Sequence, residues 1–156
     1  MTLTAHIAVG SAVGYATGNP VLGFFAGFLS HHVIDSIAHS DAGSLGSDIE
    51  NMFKNKSSLF WVLFDIILAG IIFLILLIHS GMSPMIFWGA VGGAMPDIID
   101  NSPFWSPTLR KIFPTNYFHK FHDAIHWTIT NRKYLWVGFL TQAILIGISI
   151  LYLFHT

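Results

Sequence analysis

Apolar residues dominate this chain in five segments, which short polar or glycine- and proline-rich stretches separate. The two longest segments, 58–79 and 132–154, are long enough to cross the hydrocarbon of a bilayer as helices. Three shorter segments, 3–17, 20–38 and 83–96, are richer in glycine and alanine. The pattern predicts an all-α protein: one integral membrane domain, residues 1–156, built as a bundle of about five transmembrane helices.

Local signals refine the predicted helices. Asn19-Pro20 combines a capping residue with a proline at the first helical position, which is typical of a helix start. Short interfacial helices are predicted near 47–55 and 117–127. Small residues at four-residue spacing permit close helix packing in lipid. In the first two segments these are Gly10, Gly14, Gly23 and Gly27.

Composition favours a membrane protein over a soluble one. The chain is 53% hydrophobic and only 10% charged, with a mean hydropathy of +0.64, whereas soluble domains are about one quarter charged. The net charge of −1 argues against a nucleic-acid-binding protein. The sequence contains no cysteine, so disulfides and thiolate metal ligands are excluded. No basic stretch precedes the first apolar segment, which argues against a cleaved signal peptide.

The basic residues predict an orientation. All seven Lys and Arg residues lie in 40–57 and 101–133, which five spans would bring to the same side of the membrane. By the positive-inside rule we expect a multi-pass protein of the inner (plasma) membrane with a cytoplasmic N-terminus. The same topology would gather most histidines and aspartates at that face. His79 and His155 alone among the nine histidines would lie opposite.

The segment from Leu29 to Asp41 carries the most specific chemical pattern. His31, Asp35 and His39 are four residues apart, so on a helix they would form one stripe. Imidazole and carboxylate groups one turn apart suit zinc or a similar divalent ion. The alternative for a single histidine is a helix-end residue bonded to water and backbone, but the clustering favours metal binding.

Two further pairs would join this stripe at the cytoplasmic face. Asp97 and Asp100 are three residues apart, and His122 and His126 are four apart, so each pair can point one way. His6 lies near the start of the first helix. The candidate ligands exceed the four that a tetrahedral zinc needs, so we expect two or more ions.

Asp65 lies within the third apolar segment, roughly 10 Å from its start at 1.5 Å per residue. An ionisable residue at that depth normally faces the bundle interior. The sequence leaves two roles open for it: a ligand or supporting partner at a metal site, or a structural residue bonded to a neighbouring hydroxyl.

Four short motifs carry a resemblance to a known family. They are His6 in an N-terminal helix, Ser30-His31-x-x-x-Asp35, Pro96-Asp97-x-x-Asp100 and His122-x-x-x-His126. Together they resemble the prokaryotic membrane-bound metal-dependent hydrolases, which are distantly similar to zinc-dependent phospholipase C, although here the motifs stand in a different order. The resemblance implies seven metal ligands: His6, His31, Asp35, Asp97, Asp100, His122 and His126.

The activity expected from this resemblance is hydrolysis of a lipid phosphoester at the membrane surface, as by a phospholipid phosphatase. Bound ions would activate water and stabilise charge on the phosphate oxygens. Asp100 or Asp123 could take the proton. Arg110, Lys111 and Lys120 could hold the phosphate. The alternative for these basic residues is that they only anchor the topology.

Three other functions are compatible with a membrane protein rich in histidine. A divalent-metal transporter would need polar groups across the whole bilayer, and the predicted spans offer few. A haem protein would place paired histidines within facing spans rather than among carboxylates at helix ends. A non-catalytic protein with a structural metal site, which clamps the 117–127 helix to the bundle, is the serious alternative. Formation of a homodimer is left open by the sequence.

Overall fold

The computed structural model describes residues 1–45 and 53–156. In these residues the all-α prediction is confirmed: they form seven α-helices, with short 3-10 turns at Gly43–Leu45 and Arg132–Tyr134. Most of the interfacial helix predicted near 47–55 lies outside the described residues. The helices are α1 (Leu3–Ala16), α2 (Pro20–Asp35), α3 (Lys56–His79), α4 (Pro84–Asp100), α5 (Ser106–Leu109), α6 (Thr115–Ile125) and α7 (Leu135–His155).

The helix ends follow local chemistry, with two departures from the predicted bounds. Asn19 caps α2 through its side chain, which accepts from two backbone N–H groups. However, α2 ends at Asp35 rather than at 38, because Ser36 is already its C-cap. Helix α4 passes through Pro96 and ends at Asp100 rather than at 96. The last turn of α4 therefore carries Asp97 and Asp100 as helical residues.

Glycines hold α1, α2 and α4 together at the centre of the bundle. A Cβ atom added to Gly89 of α4 would collide with the backbone of Gly10 and Gly14 on α1, and one added to Gly27 of α2 would collide with Gly89. The three backbones thus touch with no side chain between them, as the small-residue spacing predicted. Side chains at the ends of these helices are consequently brought close together.

Helices α3 and α7 lie outside this central group. The segments Lys56–His79 and Arg132–His155, 24 residues each, are long and apolar enough to cross a membrane, and most of their residues are exposed. By comparison α1, α2 and α4 have 14, 16 and 17 residues, fewer than the roughly 20 that a span usually needs. Length and composition therefore support two spans within the described residues, and the five-span arrangement stays a prediction.

Polar side chains of α3 and α7 fix the first turn of α1. Asp65 of α3 accepts hydrogen bonds from the backbone N–H groups of Leu3 and Thr4, at 2.7 and 3.1 Å, and from the Thr4 hydroxyl at 2.6 Å. These hydrogen bonds, one of them from a hydroxyl, support the structural role expected for Asp65. Gln142 of α7 accepts from Thr2 N at 2.7 Å and donates to the carbonyl oxygen of Ser40 at 2.6 Å.

Candidate metal centre

The ends of α1, α2, α4 and α6 meet in a buried group of imidazole and carboxylate side chains, which we name the helix cluster. It consists of His6, His31, Asp35, Asp97 and His122. The first three are fully buried, His122 is almost so, and the Asp97 side chain retains 18% exposure. All five are residues that the sequence predicted as metal ligands, and the structure brings them together from four helices.

Helix geometry sets the positions within this cluster. His31 and Asp35 stand one turn apart on α2, with His31 Nε2 3.0 Å from Asp35 Oδ2. The His6 ring from α1 stacks on His31 with the ring centroids 3.8 Å apart. Asp97 places one carboxylate oxygen 3.6 Å from His6 Nε2 and the other 3.9 Å from His31 Nε2. His122 Nε2 lies 3.2 Å from Asp35 Oδ2.

These separations suit ligands around one ion. Bonds of 2.0–2.2 Å in a tetrahedron put neighbouring ligand atoms about 3.3 to 3.6 Å apart. The distances from His6 to Asp35 and Asp97 are 3.3 and 3.6 Å, which is long for an N–H···O hydrogen bond. Ligand atoms of His6, His31 and Asp97 all lie within 4.8 Å of one another.

The hydrogen bonds behind the rings leave Nε2 atoms directed into the cluster. His31 Nδ1 donates to the carbonyl oxygen of Gly93 at 2.8 Å, so its Nε2 is the ring nitrogen that faces the cluster. His31 Nε2 and His122 Nε2 are 3.1 Å apart, and at most one proton can lie between them. Both ring nitrogens of the buried His6 have no hydrogen-bond partner. A cation would satisfy all of these atoms, which is the usual arrangement of metal-bound histidines.

Asp100 lies behind His122. Its Oδ2 atom accepts from His119 Nδ1 at 2.9 Å and from His122 Nδ1 at 3.2 Å, and its Oδ1 atom accepts from Arg110 Nε at 3.1 Å. Asp100 was predicted as a metal ligand and as a proton acceptor. These three donors instead suit a carboxylate that orients His122.

The charge balance also favours a cation. Burial lowers the pKa of His122, but its hydrogen bonds with Asp100 and Asp35 and the charge of Asp97 outweigh burial and raise this pKa to about 9. An imidazolium at His122 therefore offsets these carboxylates together with the Met1 ammonium, which lies 2.5 Å from Asp35 Oδ1. A divalent ion could take its place, since buried carboxylates require positive partners.

A second group, the loop cluster, adjoins the first; it consists of His39, Asp41 and His126, together with Asp35. The prediction of one helical stripe was wrong for His39, because α2 ends at Asp35. His39 instead forms an isolated parallel bridge with Thr128. His39 N donates to the carbonyl oxygen of Trp127 at 3.2 Å, and Ile129 N donates to that of His39 at 2.8 Å.

Distances in the loop cluster resemble those in the helix cluster. Asp41 Oδ2 lies 3.4 Å from His39 Nε2 and 3.7 Å from His126 Nε2. His126 Nε2 also lies 3.7 Å from Asp35 Oδ2. The amino group of Met1 is 2.5 Å from Asp35 Oδ1 and 3.2 Å from His126 Nε2. Burial and this ammonium lower the pKa of His126 to about 4, so its imidazole is neutral.

Sequence reasoning missed Asp41 as a member of the site. Its position two residues after His39 was visible, but a spacing of two does not share a face on the predicted helix. The extended backbone at His39, which the bridge to Thr128 creates, brings Asp41 to the cluster.

A cavity of about 1020 Å³ borders both clusters. Asp97, His122 and His126 are among its polar lining, as are Arg110 and the predicted proton acceptor Asp123. Its apolar wall comes from α3, from 98–105 and from α7, with Leu59, Trp61, Ile66, Phe104 and Phe139 among its members.

The other predicted phosphate-binding residues lie elsewhere. Lys111 and Lys120 are exposed, and the described residues that line the cavity do not include them. Lys120 Nζ lies 5.7 Å from the centroid of the Tyr117 ring. Arg110 is thus the one of the three predicted basic residues that reaches both the cavity and Asp100.

Comparisons with models of protein families, with curated proteins and with solved structures find no match for this chain.

Proposed function

We propose that the protein is a membrane-embedded, metal-dependent hydrolase that cleaves a lipid phosphoester, with zinc bound in the helix cluster. The observation that carries this proposal is that Asp97 and His122 of that cluster line a cavity whose lining is mostly apolar. Three imidazoles and two carboxylates from four helices fit the donor set of zinc. The resemblance to membrane-bound metal-dependent hydrolases supports the same reaction class.

Residues of the chain have defined tasks in this proposal. A bound divalent ion supplies Lewis acidity and lowers the pKa of water. Asp100 holds His122 in orientation through a 3.2 Å hydrogen bond. Arg110 can turn part of its guanidinium toward a phosphate oxygen, because planar guanidinium groups match that geometry. Asp123, exposed and at the cavity, is the carboxylate available to accept a proton.

The exposed apolar surface supports a membrane location. On α2, Val21, Phe25 and Leu29 are 58–64% exposed and lie on one stripe at four-residue spacing. Together with α3 and α7 they would present a largely apolar exterior, as a lipid-facing bundle requires. We therefore retain the five-span arrangement in the inner membrane, with α1, α2 and α4 at its centre. The basic segments and the clusters would then lie at the cytoplasmic side.

The test is turnover of lipid phosphoesters by the full chain purified in detergent and loaded with zinc. Long-chain phosphomonoesters and phosphodiesters in mixed micelles would be compared with a water-soluble aryl phosphate. We expect release of phosphate or alcohol from a long-chain substrate, with loss of at least 100-fold in His31→Ala. His79→Ala is the matched control, since His79 stacks on Phe154 at 3.9 Å, away from both clusters. Zinc binding without turnover of any phosphoester would contradict the hydrolase and favour a structural metal site.

A further inference from the structure

We propose that the loop cluster is a second divalent-cation site, formed by His39, His126 and Asp41 with Asp35 shared between the two clusters. This inference concerns metal binding alone and does not depend on phosphoester hydrolysis. It rests on the orientation of the two imidazoles, on an unpartnered buried nitrogen and on the spacing of the ligand atoms.

Both imidazoles are held in the tautomer that a metal ligand needs. His39 Nδ1 donates to the carbonyl oxygen of Ile37 at 2.8 Å. The Thr128 hydroxyl donates to Asp41 Oδ2 at 3.3 Å and therefore accepts from His126 Nδ1 at 2.9 Å. Each ring consequently carries a proton on Nδ1 and turns Nε2 toward the other ligand atoms of the cluster. Such outer hydrogen bonds are the usual support of metal-bound histidine.

An unpartnered nitrogen points into this group. His39 is fully buried, and its Nε2 atom has no hydrogen-bond partner. A buried polar nitrogen without a partner is destabilising, so a ligand for it is expected. The nearest carboxylate oxygen, Asp41 Oδ2, is 3.4 Å away. A cation between or beside these two atoms would give both of them a partner.

The ligand atoms are spaced as around an ion. Those of Asp35, His39 and His126 lie within 4.8 Å of one another. With Asp41 they make two nitrogen and two oxygen donors, a set that suits zinc or another borderline divalent ion. The Met1 amino group at Asp35 Oδ1 is the competing positive charge. It contacts Asp35 and His126, and it leaves His39 Nε2 without a partner.

The experiment measures zinc per chain by elemental analysis of the detergent-purified full chain after removal of loosely bound metal. We expect two zinc ions in the wild type and in His79→Ala, and one in His39→Ala. The alanine keeps the backbone bonds of residue 39 to Trp127 and Ile129, so the bridge should persist. Asp41→Asn is the second variant, because its amide oxygen can still accept from Thr128 although the negative charge is lost. This variant should also retain one ion. His31→Ala should keep the ion of the loop cluster.

The outcomes separate this inference from the proposed function. Two ions in both His39→Ala and Asp41→Asn would overturn the second site. One ion in the wild type that His31→Ala loses and His39→Ala keeps would also overturn it, and would mean that the Met1 amino group serves Asp35 instead. One ion that His39→Ala loses and His31→Ala keeps would support the loop cluster and contradict a zinc centre in the helix cluster.

Discussion

The two clusters hold similar donors in contrasting ways. Four of the helix cluster's side chains stand on α1, α2 and α4, whose glycine contacts bring the backbones together, and the fifth stands on α6. In the loop cluster, His39 and His126 meet through a few backbone hydrogen bonds between two short extended stretches. Because helix packing resists displacement more than an isolated bridge does, we expect tighter ion binding in the helix cluster.

The largest effect on metal binding is expected at Asp35, the residue that both clusters share. Asp35→Asn removes the carboxylate that lies within 3.7 Å of His6, His31, His122 and His126. We expect it to abolish high-affinity zinc binding in both clusters, measured as metal per chain. Asp97→Asn and Asp41→Asn are matched controls with the same chemical change. Each should affect one cluster, so equal losses in all three variants would contradict a shared carboxylate.

The next largest effect is expected at the glycine contact beneath the helix cluster. Gly89→Ala would push a methyl group into the backbone of α1 at Gly10 and Gly14, at a cost of about 1–3 kcal/mol. We expect a lower unfolding temperature in detergent and weaker zinc binding by His6, His31 and Asp97. Gly70→Ala on α3 is the control, because nothing lies within 4 Å of a Cβ there. Equal stability of the two variants would argue against the close crossing.

Thr128→Val tests the support of the loop cluster alone. The valine keeps the side-chain shape but removes the hydroxyl that accepts from His126 Nδ1 and donates to Asp41. Loss of such an outer partner typically weakens metal binding about 10- to 100-fold. A chelator-competition titration of His31→Ala, with and without Thr128→Val, would measure this change. In a His39→Ala background, Thr128→Val should leave the zinc affinity of the helix cluster unchanged.

The two clusters should also differ in pH dependence. The pKa of His122 is raised to about 9 and that of His126 is lowered to about 4. Below pH 9 the helix cluster must therefore release a proton to bind an ion, and its apparent affinity should rise about tenfold per pH unit from 7 to 9. Across the same range the loop cluster should change little. Zinc titrations of His39→Ala and His31→Ala at pH 7 and 8.5 would show this, and parallel slopes would contradict it.

Much of the helix cluster follows from local sequence patterns. The four-residue spacing of His31 and Asp35 and the repeated glycines both depend on helical periodicity, which a sequence displays directly. The ends of the helices were harder to predict. Helix α2 ends before His39, and α4 continues through Pro96; helix boundaries are less clearly marked in a sequence than the periodic pattern within a helix.

The loop cluster could be predicted only in part. His39 and His126 were recognised as candidate ligands, but for His39 the supposed helical stripe was the wrong reason. Asp41 and Thr128 were missed because the bridge between His39 and Thr128 joins distant parts of the chain. A pairing between such distant residues leaves no periodic pattern in the local sequence. The same limit applies to Asp100, whose contacts with Arg110, His119 and His122 depend on how the segment after α4 folds back.

The side-chain amide of Gln142 connects α7 to the chain segments beside both clusters. The oxygen of this side chain accepts from Thr2 N, and its nitrogen donates to the carbonyl oxygen of Ser40. One group on α7 therefore holds the chain segments next to His6 and His39. Any tilt of α7 would pull on both attachments at once. The spacing between the two clusters is thereby tied to the position of α7, which belongs to a segment long and apolar enough to cross a membrane, so a shift of this helix would disturb both clusters together.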